Sequence, residues 1–317
     1  MVKLLLRYWF LFSLAGAVLC GYLWPVAGDF LIRYEVITVW LMLSFLLTGM
    51  TLESRVLADG LGSLKGVSAA IVSSLCLFPV IAWLLSLPLP YPELVVGCCI
   101  LATAPSTMSS GTILTAYARG NVPLSVFICI ATHFIGVFTI PIMLTLLLGT
   151  GVGVDLPVFA ILSGLVLKVL VPLTIGQIMK PHVGRYVSRY SRAVSVFQSL
   201  MILCMVLAAV ASSAERLNQM AGFLLIVAVL VGILHLCMVL LNYLLARAIR
   251  LDYGSLVACT IHAPQKTLAV SFLVWSGSFA TEFPGALVPA IWCPLLQMRT
   301  GTLIAEYFRA RGPHHKV

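Results

Sequence analysis

Long apolar runs separated by short polar connectors dominate the hydrophobic pattern of the chain. A run of about 20 apolar residues is the length that an α-helix needs to span a bilayer. The pattern predicts ten such helices within a single membrane domain over residues 1–317, because the connectors are too short for a soluble domain. The predicted spans are 8–27, 34–52, 65–87, 93–118, 122–148, 157–179, 193–213, 220–246, 254–277 and 284–308.

Polar residues and a proline interrupt the fourth and the ninth predicted spans. Pro105 lies in the polar stretch 103–112 and Pro264 in the stretch 260–267, and these prolines are 159 positions apart (264 − 105), half of the 317-residue chain. Interrupted hydrophobic segments at matching places in two halves point to the midplane binding site of a secondary transporter. We therefore expect an all-α polytopic membrane protein in which the two breaks form the site.

Composition narrows the class of protein. The chain is 61% apolar and 9% charged, with a mean hydropathy of +1.10, which excludes a soluble globular protein. The net charge of +9 lies mainly between the apolar runs rather than in a basic stripe interleaved with aromatic residues, so we expect no nucleic-acid partner. The expected partner is the lipid bilayer.

The basic residues also predict the orientation, because cytoplasmic loops carry an excess of Lys and Arg. With the N-terminus inside, only Arg33 and Arg216 fall on the outer side. Both termini are then cytoplasmic, and the short loops suit a bacterial inner (cell) membrane. The cytoplasmic set comprises Lys3, Arg7, Arg55, Lys65, Arg119, Lys180, Arg185, Arg189, Arg192, Arg247, Arg250, Arg309, Arg311 and Lys316.

Hydroxyl side chains are concentrated at the first break. Backbone groups in lipid must be bonded internally, so a broken helix survives only where protein or a water-filled cavity surrounds it. The hydroxyls are suited to bind an ion or a substrate, or to satisfy the backbone that Pro105 frees, and helix packing is the alternative interpretation. They belong to Ser106, Thr107, Ser109, Ser110 and Thr112.

Lys266 is the main candidate at the second break. A lysine at mid-membrane costs about 2.5–3.5 kcal/mol on insertion scales and usually faces a cavity or a partner. His262 precedes it by four residues, on the same face of a regular helix, and Gln265 adds an amide. The alternative is that carbonyl oxygens of the broken helix neutralise Lys266.

Acidic residues are missing from these breaks, since all ten carboxylates of the chain fall in loops or near helix ends. A lysine without a nearby carboxylate favours an anionic substrate. His133, within the fifth predicted span, is suited to exchange protons, or else is hydrogen-bonded to a neighbouring helix. The nine cysteines are scattered and predict neither a metal site nor a disulfide framework, and we expect no cofactor.

Four motifs in order resemble the bile acid:sodium symporter superfamily, in the SBF-like branch that contains human solute carrier family 10 member 7 and bacterial relatives. The resemblance extends over nearly the whole chain. The motifs are Leu47-Thr48-Gly49-Met50-Thr51-Leu52, Met108-Ser109-Ser110-Gly111-Thr112-Ile113-Leu114-Thr115 with Gly120-Asn121, Pro172-Leu173-Thr174-Ile175-Gly176-Gln177, and Gln265-Lys266-Thr267-Leu268.

The resemblance implies ten helices in two inverted five-helix repeats, about 1–150 and 151–317, with helices four and nine unwound and crossing. In the superfamily, hydroxyls and amides of helices four and five hold sodium together with a Glu and a Gln of helix nine. His262 stands at the position of that Glu and Lys266 at that of the Gln, which puts sodium coupling in question. The lysine is then a built-in cation, and His262 or Lys266 is a candidate to carry a coupled proton.

The sequence therefore predicts a secondary transporter of a small organic anion or bile-acid-like solute, with sodium or a proton as the coupling ion. The alternative is a non-transporting membrane regulator of calcium homeostasis. An enzyme is not expected, because the chain has no intramembrane Asp pair and no H-E-x-x-H or G-x-S-x-G motif. The candidate binding residues are Ser106, Thr107, Ser109, Ser110, Thr112, His133, His262, Gln265, Lys266 and Thr267, with helix breaks at Pro105 and Pro264.

Overall fold

The structure is a computed structural model that describes residues 9–51, 61–107, 110–151 and 156–312. Over these ranges helices alternate with turns and short connectors, and no β-strand occurs in them. We number the helices in chain order. They are α1 (Trp9–Leu23), α2 (Pro25–Arg33), α3 (Val36–Thr51), α4 (Leu64–Ser86), α5 (Pro92–Thr103), α6 (Ser110–Tyr117), α7 (Val122–Gly151), α8 (Val158–Arg189), α9 (Ser191–Gln219), α10 (Ala221–Ala248), α11 (Tyr253–His262), α12 (Leu268–Ser278) and α13 (Val288–Arg311).

Several of these helices meet the requirements for crossing a membrane. By length and composition α4, α7, α8, α9 and α10 are each long and apolar enough, and α1 with α2 counts as a sixth span if the bent pair is taken as one. The helices α3, α5 and α12 are apolar but shorter. The chain is thus an all-helical, multi-pass membrane protein.

The structure differs from the predicted spans at several helix ends, including that of α9, which continues to Gln219 past the predicted end at 213. A single helix was expected over 8–27, but α1 ends at Leu23 and α2 continues from Pro25 at an angle of 95°. Trp24 between them has φ −135° and ψ 70°, since the residue before a proline is disfavoured in the helical region. The helix α8 also continues to Arg189, past the predicted end at 179, and the positive side chain of Arg189 in its last turn suits the helix dipole.

Two pairs of helices pack closely along their length. The helices α1 and α2 lie against α9, and α3 lies against α8. Gly49 of α3 and Gly176 of α8 face each other, since a Cβ atom on Gly49 would come within 3.1 Å of the Gly176 Cα. Small residues let membrane helices approach this closely, so that their backbones are in van der Waals contact.

The remaining helices surround two broken ones. The polypeptide leaves helical geometry between α5 and α6 and again between α11 and α12. The helix α7 packs on α5, α6 and α11, α10 packs on α11, and α13 packs on α5 and α6. The breaks therefore lie inside the bundle, where neighbouring helices offer hydrogen-bond partners to the freed backbone.

Candidate functional site

The two breaks contact each other through their backbones. The amide of Thr267, which precedes α12, donates to the carbonyl of Pro105, which follows α5, at 3.1 Å. Pro105 and Pro264 have no N–H, so each opens the helical hydrogen-bond pattern at its position. The candidate site is built from the side chains around this contact.

The ammonium of Lys266 is fully buried and bound by oxygen atoms. Its Nζ donates to the Ser74 carbonyl at 2.6 Å, to the Ser74 hydroxyl at 3.0 Å and to the Ala104 carbonyl at 2.8 Å. It also lies 4.6 Å from the centroid of the Phe78 ring, within range for a cation–π interaction. All three ammonium protons thus have acceptors, which is the arrangement expected if backbone carbonyls neutralise the lysine.

The Ser74 carbonyl is available because α4 contains a π-helical turn over Ser73–Leu77. The amide of Phe78, which would bond Ser74 in a regular α-helix, donates instead to Ser73. The next residue is Pro79, which has no N–H to offer. The local sequence therefore frees one carbonyl oxygen, and Lys266 binds it. The Ala104 carbonyl lies just beyond the C-terminus of α5, where the helix dipole also favours a cation.

A glutamine from α13 holds the backbone of Lys266. The Gln297 side chain accepts from the Lys266 amide at 2.9 Å through Oε1 and donates to the Lys266 carbonyl at 3.1 Å through Nε2. Gln297 is buried, so these bonds are shielded from competing polar groups. This pair of hydrogen bonds replaces those that the broken helix cannot make and fixes the lysine in place.

Gln265 connects the two breaks through its side chain. Its Oε1 accepts from the hydroxyl of Thr107 at 3.0 Å and from that of Ser110 at 2.6 Å, and these hydroxyls lie 2.6 Å apart. Thr107 and Ser110 are partly buried, whereas Gln265 is buried. The hydroxyls of the first break and the amide of the second thus form one hydrogen-bonded group.

His262 occupies the last turn of α11, against the start of α6. Its Nδ1 lies 2.5 Å from the hydroxyl of Ser125 on α7, and its Nε2 has no hydrogen-bond partner among the described residues. A Cβ atom on Gly111 would lie 2.5 Å from Nδ1, so the imidazole packs directly on that glycine. His262 therefore connects the end of α11 to α6 and α7.

Ser106 and His133 both form hydrogen bonds with residues of α7. The Ser106 hydroxyl lies 2.7 Å from the hydroxyl of Thr132, which also accepts from the Ser106 amide at 3.3 Å. His133 Nδ1 donates to the Cys129 carbonyl at 2.9 Å, so in the neutral ring Nε2 is an acceptor; it has no partner within the described ranges.

The remaining predicted residues have other placements. Thr267 caps α12, because its hydroxyl accepts from the Ala269 amide at 3.3 Å. Thr112 is half-buried in the first turn of α6. Ser109 lies outside the described residues.

Three residues of the site were not among the predicted ones: Ser74, Ser125 and Thr132. Ser74 had a signal in the sequence, since a serine pair followed by Pro79 within an apolar span marks a disturbed helix. Ser125 and Thr132 are seven residues apart, two turns of α7, and so face the same side. Spacing alone does not reveal which helix that face meets.

Neutral oxygen atoms surround the side-chain nitrogen of Lys266. The hydrogen-bond acceptors of the Lys266 ammonium are two carbonyls and one hydroxyl, with no carboxylate. Over the part of the chain that the structure describes, no group of three or more His, Cys, Asp or Glu side chains is arranged to hold a metal ion. The arrangement is suited to hold a cation in place.

Comparison with known proteins agrees with this architecture. Residues 8–310 match the model of the SBF-like CPA transporter family. The chain belongs to this family. A protein of Arabidopsis thaliana named a probable sodium/metabolite cotransporter, BASS4, chloroplastic, is 27% identical over 95% of this chain and 72% of its own length.

Relatives occur in other organisms as well. The protein of Xenopus laevis named sodium/bile acid cotransporter 7-B is 24% identical over 83% of this chain and 80% of its own length. YfeH of Escherichia coli, named as a symporter, is 24% identical over 95% of this chain and 92% of its own length. SBF-like family membership, and these names, identify the chain as a membrane transporter that handles a small solute, and not as an enzyme.

Proposed function

We propose that the protein is a secondary transporter of a small organic anion, bile-acid-like solutes included, that works by alternating access around the two breaks. The single observation that carries the proposal is the ligation of the Lys266 ammonium by oxygen atoms at the point where the breaks meet. In this proposal Lys266 is a resident cation, and no sodium ion is needed to make the site positive.

The oxygen ligands of Lys266 are of the kind that a monovalent metal ion uses. Carbonyl and hydroxyl oxygens are hard, neutral donors, and the ammonium is a compact, strongly hydrated point charge that needs such donors when it is buried. Lys266 stands where the superfamily has a sodium-binding Gln, so its ammonium replaces that ion's charge. This supports a cycle in which sodium coupling has been lost.

A substrate would respond to the field of the lysine rather than bind its ammonium, because the three protons of Lys266 already have acceptors. At an effective dielectric constant of 20, two unit charges about 8 Å apart still interact by about 2 kcal/mol. The groups proposed to contact the anion or a coupling proton are the polar side chains around the breaks. They are Ser106, Thr107, Ser109, Ser110 and Thr112 from the first half, and His133, His262, Gln265 and Thr267.

The proposed architecture is ten spans in two inverted five-helix repeats within one membrane domain, in a cell or inner membrane with both termini cytoplasmic. Two features support the repeats. Pro105 and Pro264 are 159 residues apart, and so are Glu93 and Asp252 (252 − 93), which begin the first halves of the two broken helices. In an inverted repeat, the contact of α1 with α9 also corresponds to that of α8 with α3, and both pairs pack closely.

The test is the thermal stability of the detergent-purified protein with a panel of organic anions, in sodium and in potassium buffers. A ligand that binds the folded state stabilises it by about 2.7 kcal/mol at 100 times its Kd. We expect at least one anion to stabilise the wild type equally in both buffers. Lys266→Gln should lose that stabilisation in potassium, and the double variant His262→Glu/Lys266→Gln should regain it in sodium only.

The matched control is Lys168→Gln, which removes another lysine of a predicted span. Lys168 is about one third exposed and lies 4.0 Å from Glu35, so its removal leaves the breaks intact and should not change anion binding. A wild type that needs sodium for anion binding would contradict the resident cation. So would a Lys266→Gln variant that still binds the anion in potassium.

A further inference from the structure

An ion pair joins the C-terminal end of α9 to the start of α5. Arg216 Nε lies 3.2 Å from Glu93 Oε1, and the other carboxylate oxygen accepts from the Gly285 amide at 3.2 Å. Gly285 belongs to the short helical turn that precedes α13. One carboxylate therefore connects three segments that are distant in sequence.

Further contacts follow the same boundary, which we call the α9 seam: residues 213–219 of α9 against Tyr91, Glu93 and 284–285. The Ser213 hydroxyl donates to the Pro284 carbonyl at 2.5 Å, and the Tyr91 hydroxyl donates to the Gln219 carbonyl at 3.2 Å. Tyr91 also packs edge-on against Phe223, with ring centroids 5.2 Å apart. The end of α9 thus contacts, at several points, the group of helices that contains the two breaks, which we call the broken-helix unit (α5, α6, α11 and α12 with the helices packed on them).

The position of each charge strengthens the pair and leaves it reversible. Glu93 is in the first turn of α5 and Arg216 in the last turn of α9, where the helix dipoles favour a negative and a positive charge respectively. The Glu93 side chain is 11% exposed, so its charge requires a partner, whereas that of Arg216 is 51% exposed and can turn to water. When the pair opens, Arg216 can turn to water, and Glu93 keeps the hydrogen bond from the Gly285 amide.

The equivalent position in the second half lacks such a pair. Asp252, 159 residues after Glu93, caps α11 by accepting from the Ser255 amide at 3.0 Å, and no described cation forms an ion pair with it. Partial burial opposes its charge, but hydrogen bonds from Ser255 outweigh this and hold the pKa of Asp252 below its usual value. One end of the broken-helix unit is thus fastened to a neighbour by charge, and the other end is not, within the described residues.

We propose that Glu93 and Arg216 form a latch that closes the α9 seam in this state and opens when the transporter turns to its opposite state. This inference rests on the proposed alternating access. The latch belongs to the side of the membrane on which α9 ends, which the distribution of basic residues makes the outer side.

The test measures opening of the seam directly. Ser213 is 2% exposed, so a cysteine in its place reports whether the seam is open to water. Ser213→Cys protein in right-side-out vesicles is treated with a membrane-impermeant maleimide, and the labelling of protein without that cysteine is subtracted. We expect slow labelling, which Glu93→Gln or Arg216→Gln accelerates by about fivefold or more.

The controls separate the pair from general damage. Glu93→Gln keeps an oxygen for the Gly285 amide, and Arg216→Lys keeps the positive charge and should label as slowly as the parent. Arg33→Gln removes the other outer-side arginine, which is in none of these contacts, and should change nothing. Equal labelling of the Glu93→Gln, Arg216→Gln and parent proteins would overturn the latch.

The labelling experiment does not depend on the substrate. If no organic anion binds yet the two variants accelerate labelling, the latch stands and the proposed substrate class fails. If an anion binds as expected but labelling is the same in all variants, the latch fails alone.

Discussion

At the scale of single residues, both close packing and a hydrogen bond hold the imidazole ring of His262 in place. The ring lies on Gly111, and its Nδ1 meets the Ser125 hydroxyl at 2.5 Å. Lys266 is similarly confined, since its ammonium, its amide and its carbonyl each have partners. Neighbouring residues thus determine both the size and the polarity of the site.

Gly111→Ala should destabilise the protein by about 1–3 kcal/mol, the usual cost of overpacking a well-filled interior. The new Cβ atom would lie 2.5 Å from His262 Nδ1 and 2.8 Å from its Cγ, so the ring must move away from Ser125. The measurement is the apparent Tm of purified protein. The control is Gly164→Ala, where a Cβ atom meets nothing within 4 Å, and a Tm equal to or above that of the wild type is expected. Equal Tm values for both variants would refute this account of Gly111.

At the scale of elements, the π-helical turn of α4 is as important for Lys266 as the break that contains it. The turn offers the Ser74 carbonyl, and Pro79 ensures that no amide competes for it. A second π-helical turn in α8, over Val166–Leu170, is likewise followed by a proline, Pro172. No hydrogen bond links that second turn to Lys266 within the described chain, so it provides a matched comparison.

The effect of Pro79→Ala on stability should depend on whether Lys266 is present, whereas the effect of Pro172→Ala should not. Alanine is the better helix former by up to about 3 kcal/mol, so each change alone favours the helix. The restored amide at position 79 competes with Lys266 for carbonyl oxygens. The increase in stability from Pro79→Ala should therefore be smaller by about 1–2 kcal/mol when Lys266 is present. A double-mutant cycle with Lys266→Met, read from thermal stability, measures this difference. A coupling of zero for Pro79 would show that its missing amide is irrelevant to Lys266.

The elements themselves were largely predictable, because length and hydropathy identify apolar helices and proline interrupts them. The breaks at Pro105 and Pro264 were located from sequence, and helices occur in each predicted span. The hydrogen-bond partners of the site residues were harder to predict from the sequence. That Ser74 ligates Lys266, or that Thr267 caps α12, depends on helix register and on which faces meet. The bend at Pro25 was missed because the residues on both sides of it are apolar.

At the scale of the whole molecule, the distribution of charge predicts the orientation of the bundle in the bilayer. Fourteen basic residues are assigned to the cytoplasmic side and two to the outer side. The prediction is that a fluorescent protein fused to the C-terminus is bright and that alkaline phosphatase fused there is inactive. Fusions made directly after Gln219, the end of α9, should give the reverse result. Active phosphatase at the C-terminus would contradict the proposed orientation.

In the proposed cycle, the resident ammonium of Lys266 also determines what drives transport. A cation that remains with the protein crosses the membrane field in both directions of the cycle, together with a monovalent anion in one direction and alone in the other. Each turnover then moves one net negative charge, so transport is electrogenic. A potential of 100 mV is worth about 2.3 kcal/mol per charge. In a cell that is negative inside, the voltage favours export of the anion, and uptake needs a steep gradient of the anion itself or a co-transported proton.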